Sequence, residues 1–183
     1  MVSGMVHRYL VYGLPRGEGQ RREPSALASR ASVELVCRLF CDDAPRRTLF
    51  LSFLRQGIRG VLLHEGDVWQ TYAWISRPST AGPGHLPRWA GRLGAHWIFY
   101  CRTREDFRGR GLYGAAMDRL VAMARAEDPA APVYIDTSRR NTASRRAILR
   151  AGFSPHGEAL VLDLPGIRPR GIWLREREHP GLR

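Results

Sequence analysis

The segment Arg108-Gly109-Arg110-Gly111-Leu112-Tyr113-Gly114-Ala115 most restricts what this chain can be. It follows an apolar, β-rich run at Trp97 to Thr103 and opens an amphipathic stretch from Leu112 to about Ala126, so it reads as a strand-to-helix turn. Glycines there let successive backbone N–H groups turn inward around an anion, and the first turn of the helix adds unpaired donors and a partial positive charge. The two arginines supply mobile cations beside them. A pyrophosphate is the natural guest, although a plain tight turn with solvated arginines explains the same residues.

The commoner nucleotide loops do not fit. A P-loop ends in Gly-Lys-Ser/Thr, and this chain contains no lysine. A dinucleotide fold places its glycine loop after the first strand, whereas this loop lies past the middle of the 183 residues.

A second segment, Asn141 to Phe153, reads as a short helix with its signals at both ends. Asn141 suits the N-cap, and Ser144, Ala147, Ile148 and Ala151 share one face. Arg145, Arg146 and Arg150 lie off that face, and Gly152 supplies the left-handed residue that ends such a helix. That account is complete as structure alone.

Taken together, the two segments resemble the paired motifs of the GNAT superfamily of acyl-CoA-dependent N-acetyltransferases. Arg108 and Gly111 match the form Arg/Gln-x-x-Gly-x-Gly/Ala, with Tyr113 at the last position and Gly114 one residue late. Asn141 to Phe153 resembles Asn-x-x-Ala/Ser-x-x-x-x-x-Lys/Arg-x-Gly-Phe, at the right distance from the first. The likeness covers roughly residues 48–165, and the chain, 1–183, is expected to form a single domain. The resemblance implies an α/β (α+β) fold with a mixed, mostly antiparallel central sheet of about six to seven strands flanked by helices.

It also implies acetyl-CoA as the acyl donor, with no metal. Cofactor contacts are then expected at Cys101, Arg102 and Thr103, where strand N–H groups meet the thioester carbonyl and pantetheine, and at Arg108, Gly109, Arg110, Gly111, Leu112, Tyr113 and Gly114 around the phosphates. Asn141 and Ser144 would lie beside the pantetheine arm or the reacting thioester. Many relatives carry a tyrosine seven residues after the motif asparagine as proton donor, and some carry a glutamate four residues before the position of Cys101 as base. Here those positions hold Ile148 and Trp97. His96 and Asp136, at strand ends, are therefore the catalytic base candidates, with Tyr100 and Tyr113 as possible donors.

The implied function is acetylation of a primary amine. The Pro/Gly-rich stretch from Ser76 to Gly94 brings together Arg77, His85, Arg88, Trp89 and Arg92, and Arg88, Trp89 and Arg92 are expected to contact an anionic acceptor, with a nucleotide-linked amino sugar as the leading example. The alternatives are acetylation of a macromolecule, either a protein amine or an aminoacyl-tRNA, and a non-catalytic acyl-CoA-binding module.

Composition narrows the setting. The formal charge is +12, but the basic residues are all arginine and are scattered without a block or a known binding motif, so nucleic acid is not selected as a partner. The three cysteines make no metal-type spacing, and Cys37 and Cys41 read as buried packing residues. No apolar run reaches the roughly 18 residues of a membrane span, so a cytoplasmic protein is expected.

The remaining pattern predicts a strand at His7 to Tyr12, a turn-rich stretch from Pro15 to Arg22, and a helix from about Pro24 that stops near Asp42 to Pro45. A hairpin is expected from Gly60 to His64 and Val68 to Ile75, followed by strands at Val133 to Thr137, Leu160 to Leu164 and Gly171 to Leu174.

Overall fold

A computed structural model describes residues 5–14, 28–77, 86, 88–164 and 167–176. The stretch 15–22, His85 and most of 78–87 lie outside the described residues, as does the beginning of the helix expected from Pro24.

The chain runs β1 (Met5–Leu14), β2 (Ala28–Arg30), α1 (Val33–Leu39), α2 (Ala44–Arg55), β3 (Arg59–Glu65), β4 (Val68–Ser76), α3 (Arg88–Arg92), β5 (His96–Thr103), α4 (Leu112–Glu127), β6 (Val133–Ser138), α5 (Thr142–Arg150), β7 (Ser154–Leu164) and β8 (Ile167–Glu176). The strands form one eight-stranded sheet in the order β2-β3-β4-β5-β6-β1-β7-β8. Every neighbouring pair is antiparallel except β5 and β6, which are parallel. The mixed, mostly antiparallel sheet is as expected, and the strand beyond seven is the three-residue β2.

Alternation along the strands distributes side chains to two cores. Val61, Leu63, Ala73, Ile75, Ile98, Val133 and Ile135 face α4 and α5, where Met117, Leu120, Val121 and Ile148 meet them. Leu62, Tyr72, Trp74, Trp97, Phe99 and Tyr134 face the other way, against Val36 and Leu39 of α1, Phe40 just after it, Phe50 of α2 and Ala90 of α3. Helices thus cover both faces, and each buries its apolar stripe on the sheet.

Three local readings are corrected. Ala28 to Arg30 is a strand paired with β3, and α1 begins only at Val33 because the Ser32 side chain accepts the Leu35 N–H and fixes the cap there. Asp43 does not merely end a helical pattern: its carboxylate accepts the Arg46 N–H and starts α2, with Pro45 in the first turn, where a missing N–H costs nothing. Cys37 and Cys41 are exposed, so they do not pack in the core. Among the described residues no helix is long and apolar enough to cross a membrane.

The feature that positions the site is a split in the middle of the sheet. Pairing of β5 with β6 stops after three residues, His96 to Ile98 against Val133 to Ile135. Beyond that point β5 stays with β4 as far as Thr103, and β6 stays with β1 as far as Ser138. The two halves of the sheet therefore part, and among the described residues the β6-side backbone edge of Phe99 to Thr103 has no strand partner.

Candidate active site

The loop expected to hold phosphates lies at the open end of this split. A 3-10 turn at Glu105–Phe107 leads into it, Gly109 and Gly111 take left-handed φ of 79° and 77°, and α4 starts immediately afterwards. Gly111 is the N-cap and offers no side chain, so no side-chain oxygen satisfies the first-turn N–H groups. An anion there would meet those donors and the positive end of the helix. Arg108 pairs with Glu105 at 3.1 Å, and Arg110 lies 5.0 Å above the Phe107 ring with a hydrogen bond to the Asp106 carbonyl.

A cleft of about 750 Å³ runs from this loop into the split. Cys101, Arg102 and Thr103 form one wall, Asn141 and Ser144 stand on the other, and Arg108, Gly109, Gly111, Leu112, Tyr113 and Gly114 close the end. Of the expected cofactor residues only Arg110 stays outside the lining. Arg146 and Arg150 line the cleft too. Their spacing of four on α5 was visible in the sequence, but which of the helix's polar residues would face the cleft was not.

Asn141 caps α5 by accepting the Ser144 N–H at 3.0 Å, and Gly152 ends the helix at φ 91°. Across the cleft the Tyr113 hydroxyl lies 3.0 Å from Ser144 Oγ. Burial raises the Tyr113 phenol well above its ordinary range and pushes the Cys101 thiol up to about 12, so both stay protonated near neutral pH. Ile148, at the position of the expected tyrosine, is fully buried in the core beneath.

Asp136 lies on β6 one residue past Ile135, the last to pair with β5, and therefore at the fork itself. Its Oδ2 accepts the Trp97 Nε1–H at 2.8 Å, which holds the carboxylate on the face that carries Trp97 and Tyr134. Sequence reasoning named Asp136 as a strand end; the structure places it within β6 at the fork, beside the cleft and not among the residues that line it.

His96 is a correction. It starts β5, about 16 Å of strand from Cys101 at ~3.3 Å per residue, and it does not line the cleft. Its side chain is 0% exposed, with Nδ1 3.3 Å from an Arg59 guanidinium nitrogen. Burial and then the Arg59 charge hold its pKa down at about 4. A histidine neutral when folded but protonated at about 6.5 when unfolded binds fewer protons in the native state between those values. Stability should therefore fall as pH drops from about 6.5 towards 4. In urea titrations across that window, His96→Gln should show a shallower loss than the parent by up to one proton; equal slopes would contradict a buried neutral imidazole.

Arg88, Trp89 and Arg92 lie on α3, which joins the His96 end of β5 through a hydrogen bond from Ala95 N–H to Ala90 O. Arg92 is exposed and outside the cleft, so the structure does not bring it to the fork. The side chains of Arg88 and Trp89 fall outside the description.

No family model and no curated protein matches this sequence. Solved structures do match its fold. The chain is similar to an acetyltransferase of the GNAT family from Colwellia psychrerythraea, with a TM-score of 0.62 and 13% identity over 88% of this chain and 57% of that one. It is similar to a GCN5-related N-acetyltransferase from Sphaerobacter thermophilus, with a TM-score of 0.55 and 15% identity over 88% and 53%. Another from Kribbella flavida gives 0.53 and 18% over 90% and 61%. The chain thus spans less than two thirds of the length of each of these neighbours. With its split sheet and its glycine loop at a helix start, the chain has the fold of the GNAT-family acetyltransferases.

Proposed function

We propose that the chain is an acetyl-CoA-dependent N-acetyltransferase acting on a primary amine. The observation that carries this reading is the β5 edge from Cys101 to Thr103, beyond the last β5–β6 pair, which lines a cleft closed by the start of α4. The residues fit acetyl-CoA. Loop amides and the α4 N-terminus suit a pyrophosphate, and an unpaired strand edge suits the amide-bearing pantetheine arm. Arg108, Arg146 and Arg150 add positive charge around the same cleft.

The chemistry follows from what the fork holds. The strand edge supplies N–H donors that can polarise a thioester carbonyl. Asp136 can take a proton from the bound ammonium to give the neutral amine; its nitrogen then bonds to the acyl carbon, the C–S bond breaks, and the second N–H proton passes to the departing sulfur or to water. The Tyr113 hydroxyl, held beside Ser144, can donate a hydrogen bond to the departing sulfur. A thiolate with a conjugate pKa near roughly 8.5 leaves without a strong acid, so a tyrosine at position 148 is not required.

The experiment pairs calorimetric titration of acetyl-CoA with detection of free thiol across an amine panel that includes a nucleotide-linked amino sugar, small neutral amines, a peptide amine and an aminoacyl-tRNA. Binding with turnover of any amine supports the reading, and the panel decides between small and macromolecular acceptors and whether a negative charge on the acceptor matters. Binding with no thiol released from any amine would favour a non-catalytic acyl-CoA module. No binding at millimolar acetyl-CoA would end the assignment.

A further inference from the structure

Tyr100 breaks the alternation of β5. Phe99 packs towards α2, with its ring 5.4 Å from that of Phe53, so regular pleating would send Tyr100 to the α4 face. Instead Tyr100 takes φ 48°, the left-handed region that bulky residues avoid, and the β4–β5 register shifts at the same place. Its ring therefore lies on the same face as Phe99. It stacks 5.8 Å from Tyr72 at 18° and sits edge-on to Phe50 at 6.0 Å. Cys101 then returns to the α4 side.

The outcome is unusual for so large an apolar surface. Tyr100 is 47% exposed, and among the residues whose side chains are described no other Phe, Tyr or Trp is exposed. The strained residue also lies where the chemistry would occur. Phe99 is the first residue of β5 beyond the paired segment, Asp136 is the first of β6, and Tyr100 follows Phe99. Asp136 shares the face of Trp97 and Phe99, opposite α4, so an amine reaching it from that face approaches on the side of the sheet that carries the Tyr100 ring.

Resting on the acetyltransferase reading, we propose that the acceptor is an arylalkylamine, a primary amine on a short arm from an aromatic ring, and that its ring packs on Tyr100. Tyr100 is then a specificity-determining residue. The bulge leaves an exposed aromatic ring two residues past the last β5–β6 pair, and a flat ring gains stacking or edge contact with it that a puckered ring does not.

The test compares 2-phenylethylamine with 2-cyclohexylethylamine, which has the same arm without a flat ring, and with glucosamine. Each is assayed at saturating acetyl-CoA by thiol release. The wild-type protein is expected to favour phenylethylamine over both by about tenfold in kcat/KM. Tyr100→Ala should raise the phenylethylamine KM by about tenfold, with acetyl-CoA affinity by calorimetry unchanged, and Tyr100→Phe should retain the preference. The wild-type comparison needs no variant to fold. Equal efficiency for the phenyl and cyclohexyl amines, or a preference for glucosamine, overturns the inference and leaves the acetyltransferase assignment standing. Failure to bind acetyl-CoA overturns both.

Discussion

Gly111→Val is expected to lower acetyl-CoA affinity by at least tenfold, with most of the stability retained. Gly111 sits at φ 77° and ψ 0° and is the cap from which α4 starts. An L-residue in that conformation costs about 1–2 kcal/mol, and a β-branched one more. A Cβ at Gly111 would meet nothing within 4 Å, so the penalty is conformational and the loop is free to relieve it by moving. That movement is the point of the experiment. The first-turn N–H groups converge on an anion only while the glycine backbone keeps its path, and each ~1.4 kcal/mol of lost binding is a tenfold change in Kd. A cost of about 1–2 kcal/mol should lower Tm by only about 2–8 °C in a chain of this size. Calorimetry with desulfo-CoA measures the affinity without turnover. Gly111→Ala should fall between the parent and the valine variant. A valine variant that binds like the parent would mean that the phosphates sit elsewhere.

What the sequence made legible was local. Gly109, Gly111 and Gly152 announce backbone conformations that other residues resist, and Asn141 announces a cap, so the loop and α5 could be placed from short segments. The hairpin of β3 and β4 was legible for the same reason: Gly66 turns it at φ 55°. What stayed hidden depends on register between distant strands. That β5 pairs with β6 for three residues and then leaves it is not encoded in either strand alone. His96 and Asp136 looked equivalent as polar strand ends. Because β5 and β6 run parallel, however, the start of one lies at the opposite end of the pair from the end of the other, and of the two only Asp136 lies at the fork. The bulge at Tyr100 was hidden too, since no glycine marks that left-handed residue. The missed α2 has another cause, because an Asp-Ala-Pro sequence can end one helix and cap the next with equal ease.

Asp136→Asn should reduce kcat by about 10²–10⁴-fold while leaving acetyl-CoA affinity unchanged, because the substitution removes a proton acceptor and little else. Asparagine is nearly isosteric, and its carbonyl oxygen can still accept the Trp97 Nε1–H, so the fork should keep its shape. A structural role for the carboxylate would therefore survive the change, whereas a catalytic one would not. The pH dependence separates the two further. An alkylamine reaches the site mainly as the ammonium near neutral pH, and without Asp136 its neutral form must come from solution. The turnover of the variant should therefore keep climbing as pH rises towards the pKa of the amine, while the parent levels off earlier and the gap between them narrows. Trp97→Phe offers the complementary measurement: it leaves the carboxylate in place but removes the hydrogen bond that aims it, and should cost less than the loss of the carboxylate itself. Parent-like turnover of Asp136→Asn at neutral pH would assign the proton to another group or to water, and would leave the carboxylate a structural role at the indole.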